Sequence, residues 1–197
     1  MKRIAIASLL VAALLLCGAG RAAAQGSPAP SGLRAEVIFW IEDAETKLIR
    51  LAEAIPQEKF TWRPAEGVRS VSEVFLHVSG GYYNLPRLIG TPPPEGFTPQ
   101  GFEASTTEKA KIIEQLKASF AHAKQAVGKV ADADLDKPIR MFGRDSTMRN
   151  ALLLMATHGH EHLGQMIAYA RVNGVVPPWT EERQRQQQQQ PPAKRPQ

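Results

Sequence analysis

The run LLLMATHGHEHLGQMIAYARVNGVVPP, residues 152–178, holds three of the chain's five histidines: His158, His160 and His162. Apolar residues flank them on both sides. The spacing predicts one amphipathic helix. Ala151, Leu154, His158, His162, Met166 and Tyr169 recur at three and four residues, the repeat of a single helix face. His158 and His162 therefore continue an apolar stripe and point into a core. His160 is turned by about 200° from His158 on the 3.6-residue period and is expected at the surface. The helix opens near Ser146 or Thr147. It closes at Asn173-Gly174, a C-terminal glycine signal, ahead of Pro177-Pro178.

Three further segments carry the same period. LRAEVIFWIEDAETKLIRLAEAI, residues 33–55, presents Leu33, Val37, Ile41, Ala44, Leu48, Leu51 and Ile55 on one face and ends at Pro56. SVSEVFLHVSGGYYNL, residues 70–85, opens with a capping box in which Ser70 caps and Glu73 reaches back. Gly80 and Gly81 lie inside it at a cost of about 1 kcal/mol each against Ala, which close approach of another group to the backbone would explain. A third helix is expected from near Ser105, with Ser105 and Glu108 as a second capping pair. Its stripe is Ile112, Ile113, Leu116, Phe120, Ala123, Val127 and Val130. The Pro- and Gly-rich GTPPPEGFTPQGFE joins the second and third helices, a length typical of lids and binding loops. DADLDKPIRMFGRDST reads as an aperiodic connector, and no strand is expected. The fold class is all-α, a four-helix bundle over residues 33–179.

The two ends are different in kind. Residues 1–24 read as a secretory signal peptide: Lys2 and Arg3, an apolar IAIASLLVAALLLC, then Ala22–Ala24 before Gln25. A retained anchor is one alternative. Lipidation at Cys17 is another, but Leu16 stands where a small residue is required. Signal removal takes away the only cysteine, which leaves no disulfide, thiolate nucleophile or cysteine ligand. The expected location is periplasmic or secreted. Residues 25–32 read as a flexible lead-in, and the Gln-, Pro- and Arg-rich residues 180–197 as a disordered tail. The net charge of +5 is concentrated at these ends: Lys2, Arg3 and Arg21 in one, Arg183, Arg185, Lys194 and Arg195 against Glu181 and Glu182 in the other. The folded part is near neutral, so no nucleic-acid partner is implied, and no stable membrane insertion is expected after signal removal.

His158 and His162, at i and i+4, have the spacing of two imidazoles sharing an ion. No Glu follows His158, so the pattern is not HExxH and gives no zincin chemistry. His77, on the second helix beside Val74 and Val78, is a third inward candidate, while His122 looks peripheral. Three neutral imidazoles suit Zn²⁺, Ni²⁺ or Fe²⁺ with a position left open for water. Hydrogen-bonded core histidines are the alternative reading. Glu73 and Gln165 are candidates to orient ligands. Tyr82 and Asn84 are candidates to line a pocket. Tyr83 lines a cleft or packs. Arg63 and Arg69 are surface residues by default and candidates for an anionic substrate. Phe39, Trp40 and Trp62 read as core or loop-packing aromatics.

SVSEVFLHVSG at 70–80 and HGHEHLGQMIAYARVNGVVPP at 158–178 resemble the DinB-like four-helix metal-binding superfamily. The shared features are a Ser-initiated second helix with one histidine, and a last helix with H-x-x-x-H and then x-G-Q. A Y-x-R-x-N-G segment follows and leads to Pro-Pro. The resemblance implies His77, His158 and His162 as the metal ligands and no role for His160; of the divalent ions that the donor set suits, Zn²⁺ is expected first. It implies an up-down-down-up bundle that forms a homodimer. It names a reaction poorly, since members are similar to thiol-dependent transferases, hydrolases or isomerases. Export weakens the thiol-transferase reading. The expected function is therefore an exported metal-dependent hydrolase or transferase acting on a small-molecule substrate. The alternative is a non-catalytic metal- or ligand-binding bundle.

Overall fold

Long helices carry the architecture, and ion pairs show how they run. In the computed structural model, which describes residues 31–189, these are α1 (Gly32–Ala54), α2 (Val71–Asn84), α3 (Lys109–Gly128) and α4 (Met148–Val172). Arg34 bonds Asp132 just beyond α3, and Lys124 bonds Glu45. These pairs set α1 and α3 antiparallel. The Tyr169 hydroxyl donates to the Arg69 carbonyl and the Tyr82 hydroxyl to the Met155 carbonyl, which sets α2 and α4 antiparallel. His160 meets Asp43, and Glu182, beyond α4, meets Arg50 near the end of α1, so α1 and α4 run parallel. The result is up, down, down, up. α1 and α2 lie on one diagonal of the bundle and α3 and α4 on the other, each α1 and α2 face packing against both α3 and α4.

Each helix forms for local reasons and is held by its apolar face. The capping box at α2 is complete: the Glu73 amide donates to Ser70 Oγ, and the Ser70 amide to Glu73 Oε2. Thr147 caps α4 by accepting from the Asn150 amide, and Gly174 at φ 76° turns the chain after it. Val37, Ile41, Ala44, Leu48 and Leu51 of α1 are buried, together with Ile112, Leu116, Phe120 and Val127 of α3. Burial of each of these side chains larger than Ala is worth about 1.5–3 kcal/mol.

Because α2 and α3 run parallel, the chain must travel back the length of α2, roughly 21 Å, between them. Residues 85–108 make that return through 3₁₀ turns at Leu85–Ile89 and Phe102–Ala104. This explains the length of the Pro- and Gly-rich segment, and it lays Phe102 and Glu103 alongside α2.

Several expectations need correction. α3 starts at Lys109, not near Ser105, because the Lys109 amide is satisfied by Gln57 Oε1 from another segment. The connector after α3 contains a two-stranded antiparallel hairpin, β1 (Pro138–Met141) and β2 (Arg144–Thr147), in register Met141↔Arg144. Its two-residue turn places Phe142 at φ 50° and Gly143 at φ 79°, as a type I′ turn requires. Disorder was expected from residue 180, yet a fifth helix, α5 (Pro178–Gln189), runs through the start of that tail. Trp179 packs on the core, and Glu182 pairs with Arg50. Phe39 and Trp40 are not core residues; they are 60% and 50% exposed, turned out of the arc defined by Val37, Ile41 and Ala44. The signal segment and the far end of the tail lie outside the described residues. No helix among the described residues is long and apolar enough to cross a membrane.

Candidate metal centre

His77 comes from the middle of α2, and His158 and His162 from the middle of α4. The antiparallel packing of these helices brings the three rings together. Ring centroids are 4.6 Å apart for His77 and His162, 4.9 Å for His158 and His162, and 5.5 Å for His77 and His158. One nitrogen from each ring lies within 4.8 Å of the others. Each histidine has its own support. His77 Nδ1 donates to Glu103 Oε1 at 2.7 Å, and Arg69 holds the same carboxylate through two nitrogens. His162 Nδ1 donates to Gln165 Oε1 at 3.0 Å. Gln165 Nε2 in turn donates to the Tyr169 hydroxyl, which donates to the Arg69 carbonyl. With both Nδ1 atoms donating, the Nε2 lone pairs of His77 and His162 are left free.

His158 is packed hardest. Its Nε2 is buried without a hydrogen-bond partner and lies against Gly81, where a Cβ would come within 2.2 Å of it. Burial foremost, then the neighbouring His162 and His77, pushes its pKa down to about 3, with the Val78 backbone pulling weakly the other way. Burial likewise lowers the pKa of His162, against the hydrogen bond to Gln165. Both rings are thus neutral at pH 7, the state a metal ligand needs. An unpartnered buried nitrogen costs about 1–3 kcal/mol, and a divalent ion would satisfy it. The donor set fits such an ion.

The remaining sequence candidates divide. Gln165 orients His162. Glu73 does not reach His77 by any hydrogen bond; its carboxylate is taken by the Ser70 amide and by Arg63, whose pairing lowers its pKa beside the larger effect of the Ser70 amide. Tyr82 does not line a cleft: it is fully buried, and its ring meets the edge of His158 at 5.5 Å. Asn84 lines a cavity of about 190 Å³ with His77, Gly81, Phe102 and Glu103. Tyr83 bonds Gln115 and faces a separate cleft beside Phe97. Arg63 and Arg69 both line a polar cleft next to the centre, but each is paired with a carboxylate, Glu73 and Glu103. Trp62 packs edge-on to Tyr169. His160 stands outside the triad. Both its nitrogens are engaged, by the Ala156 carbonyl and by Asp43, so it is a half-buried paired residue and not a free surface one. His122 is outside it too, and its Nε2 is buried without a partner. Glu103 was missed. It lies 26 residues from His77 in an aperiodic segment, and only the return of the chain along α2 brings it there.

The fold has solved counterparts. A DinB-like protein from Bacillus cereus superposes with a TM-score of 0.63 at 18% identity, covering 78% of this chain and 98% of its own. A DinB-like protein from Bacillus subtilis gives 0.57 at 22% identity, covering 72% and 93%. YfiT from Bacillus subtilis, described as a probable metal-dependent hydrolase with an unusual four-helix bundle topology, gives 0.57 at 15%, covering 77% and 94%. At these identities the likeness concerns the fold. No curated protein matches the sequence. Residues 41–166 match the DinB superfamily model, a span that takes in α2, α3, most of α1 and α4, and all three converging histidines, so the chain belongs to the DinB superfamily.

Proposed function

We propose that this chain is an exported, metal-dependent hydrolase in which His77, His158 and His162 hold one divalent ion, Zn²⁺ in first place and Ni²⁺ or Fe²⁺ otherwise. The observation that carries this reading is the convergence of three imidazoles, one of them with an unpartnered buried Nε2. An ion held there supplies Lewis acidity and lowers the pKa of a bound water to about 7. The chain's own residues do the positioning. Glu103 and Gln165 fix the tautomers and ring planes of His77 and His162, and Gly81 gives His158 room. YfiT, described as a probable metal-dependent hydrolase, supports hydrolysis over transfer. Export rests on the basic, apolar and small-residue order of residues 1–24.

One observation favours a second reading, a metal- or ligand-binding bundle without turnover. Glu103, the carboxylate bonded to the triad, is already bound by Arg69 and His77, which leaves it poorly placed to take a proton from water. Metal analysis separates these readings from packed histidines. Purified mature protein should carry about one equivalent of ion and lose it in a His158→Ala, His162→Ala variant. Equal metal content in the two would overturn both. Hydrolysis of a panel of model esters and amides that rises and falls with metal content selects the enzyme. Metal binding with no turnover selects the binding protein. N-terminal sequencing of protein from the exported fraction should begin at Gln25.

A further inference from the structure

His77 and His162 differ in how firmly their hydrogen-bond partners fix them. His77 Nδ1 meets the Glu103 carboxylate, whose ionised oxygens only accept, so that ring nitrogen carries a proton. His162 Nδ1 meets the side-chain amide of Gln165 at 3.0 Å, and an amide can face either way. With the amide oxygen towards the ring, Nδ1 holds the proton and Nε2 keeps its lone pair. With the amide turned over, its NH₂ donates to Nδ1, and the proton of the neutral ring moves to Nε2, where it blocks coordination. The decision is made one link further out. Gln165 Nε2 lies 3.2 Å from the Tyr169 hydroxyl, which lies 3.1 Å from the Arg69 carbonyl. A backbone carbonyl only accepts, so the Tyr169 proton is committed to Arg69. The hydroxyl then offers Gln165 nothing but lone pairs. The amide must turn its NH₂ to Tyr169 and its oxygen to His162.

We infer that Tyr169 sets the tautomer of His162 through Gln165, as a positioning residue that keeps His162 Nε2 open for a metal ion. The inference rests on the proposed metal site for the use of that nitrogen, but not for the tautomer itself. The chain is anchored at its far end. Arg69 immediately precedes Ser70, the N-cap of α2, whose complete capping box fixes the local backbone. The Arg69 guanidinium also clamps Glu103, so one residue ends the chains that run outwards from His77 and from His162. The middle of the chain is held by helix geometry and packing. His162, Gln165 and Tyr169 follow at three and four residues on α4 and so share a face. Tyr169 is buried, with Trp62 edge-on to its ring at 5.3 Å. A phenylalanine would fill the same space; only the hydroxyl carries the polarity.

The test reads the ring nitrogens directly, by nitrogen NMR of the histidines in full-length mature protein without metal, at about pH 8, where free histidine is neutral. The unsubstituted protein should show His162 as the Nδ1–H tautomer only. Tyr169→Phe keeps the ring against Trp62 and removes the hydroxyl. An Nε2–H population should then appear. Zinc affinity should fall about three- to tenfold, short of the roughly 10–100-fold cost of losing a ligand's direct partner. Adding Gln165→Glu to that variant supplies a group that only accepts, and should return His162 to Nδ1–H. A merely structural role for Tyr169 would not be rescued in this way. Gln165→Leu cuts the chain one link nearer to the ring and should release the tautomer with Tyr169 in place, which keeps the test decisive if Tyr169→Phe folds poorly. Nδ1–H alone in either single variant, or no rescue by Glu, overturns the inference and leaves the metal site standing. The expected tautomers in protein that takes up no zinc support the chain and sink the metal reading.

Discussion

Gly81 of α2 lies directly against the His158 ring of α4, so close that a Cβ on Gly81 would sit 2.2 Å from His158 Nε2 and 2.9 Å from its two neighbouring ring carbons. The absent side chain is therefore what lets His158 turn into the triad. Glycine in mid-helix costs about 1 kcal/mol against Ala, and here the cost has a specific return. Gly81→Ala should displace the imidazole and weaken zinc binding at least tenfold, measured by competition with a chromophoric chelator. Gly128→Ala in α3, where a Cβ meets nothing within 4 Å, is the matched control and should leave zinc affinity unchanged. Normal zinc affinity in Gly81→Ala would show that His158 is not a ligand.

Glu103 provides a second handle on the same centre. Its carboxylate accepts from His77 Nδ1 and is clamped by Arg69. Burial alone would raise its pKa, but the hydrogen bonds from Arg69 and His77 outweigh that and hold it below the usual carboxylate range. Losing the partner of a ligating histidine commonly costs 10–100-fold in metal affinity. Glu103→Gln should fall in that range and Arg69→Met should cost less. The melting temperature of metal-free protein should change by only a few degrees, since the Arg69–Glu103 pair is exposed. A drop in melting temperature with unchanged zinc affinity would make Glu103 a loop anchor only.

The pH dependence has a definite sign. His158 has its pKa pushed down to about 3, and that of His162 is lowered in the same direction. Unfolded histidine titrates near 6.5. Between these values the unfolded chain binds more protons, so stability rises with pH. The contribution of the neutral, buried rings is fully present above pH 6.5 and is lost as pH falls towards 3. For one such group the slope is at most about 1.4 kcal/mol per pH unit. Metal-free protein should therefore lose stability to urea between pH 7 and pH 5, before the carboxylates titrate. His158→Leu should flatten that slope. A pH-independent urea midpoint over this interval would contradict the buried neutral state.

The helical period was enough to set His158 and His162 together and His160 apart, because the pair lies one turn apart on one stripe; it did not show that His160 is held by Asp43 and the Ala156 carbonyl instead of standing free at the surface. His77 was legible for the same reason, lying between Val74 and Val78 on α2. Glu103 was not. Local spacing pointed to Glu73, four residues before His77, but a residue at the helix start is close to the Ser70 amide as well, and the capping box takes its carboxylate. The true partner arrives from a segment without period, whose path is set by α2 and α3 running parallel. The hairpin was hidden because its strands are four residues each and its turn is Phe142-Gly143, with a bulky aromatic where Asn or Asp is usual. Phe39 and Trp40 are exposed because their helical phase on α1 turns them away from Val37 and Ile41, and aromatic character alone does not report that phase. The start of the tail misled because composition does not register the docking of Trp179 and Glu182.

Two glycines of α4 close to the inner pair, Gly159 between His158 and His162 and Gly164 just after them, should respond to Ala with opposite signs. A Cβ at Gly159 would lie 2.5 Å from the Tyr82 hydroxyl and 2.8 Å from the Ala44 Cβ. Tyr82 is fully buried and bonded to the Met155 carbonyl, and Ala44 sits on the backbone of α1, so neither can retreat cheaply. Gly159→Ala should destabilise by about 1–3 kcal/mol through overpacking. It should also push α1 and α2 away from α4 and so disturb the triad. At Gly164 a Cβ meets nothing within 4 Å, so Gly164→Ala removes only the backbone freedom of the unfolded chain and should stabilise by about 0.4–1 kcal/mol. Urea unfolding of the metal-free variants reads both. The difference between them isolates packing from helix propensity, because residue change and helix are the same. Equal effects at the two positions would mean that α1, α2 and α4 do not meet at Gly159 as closely as described. The convergence of His77 with His158 and His162 would then lose the packing that enforces it.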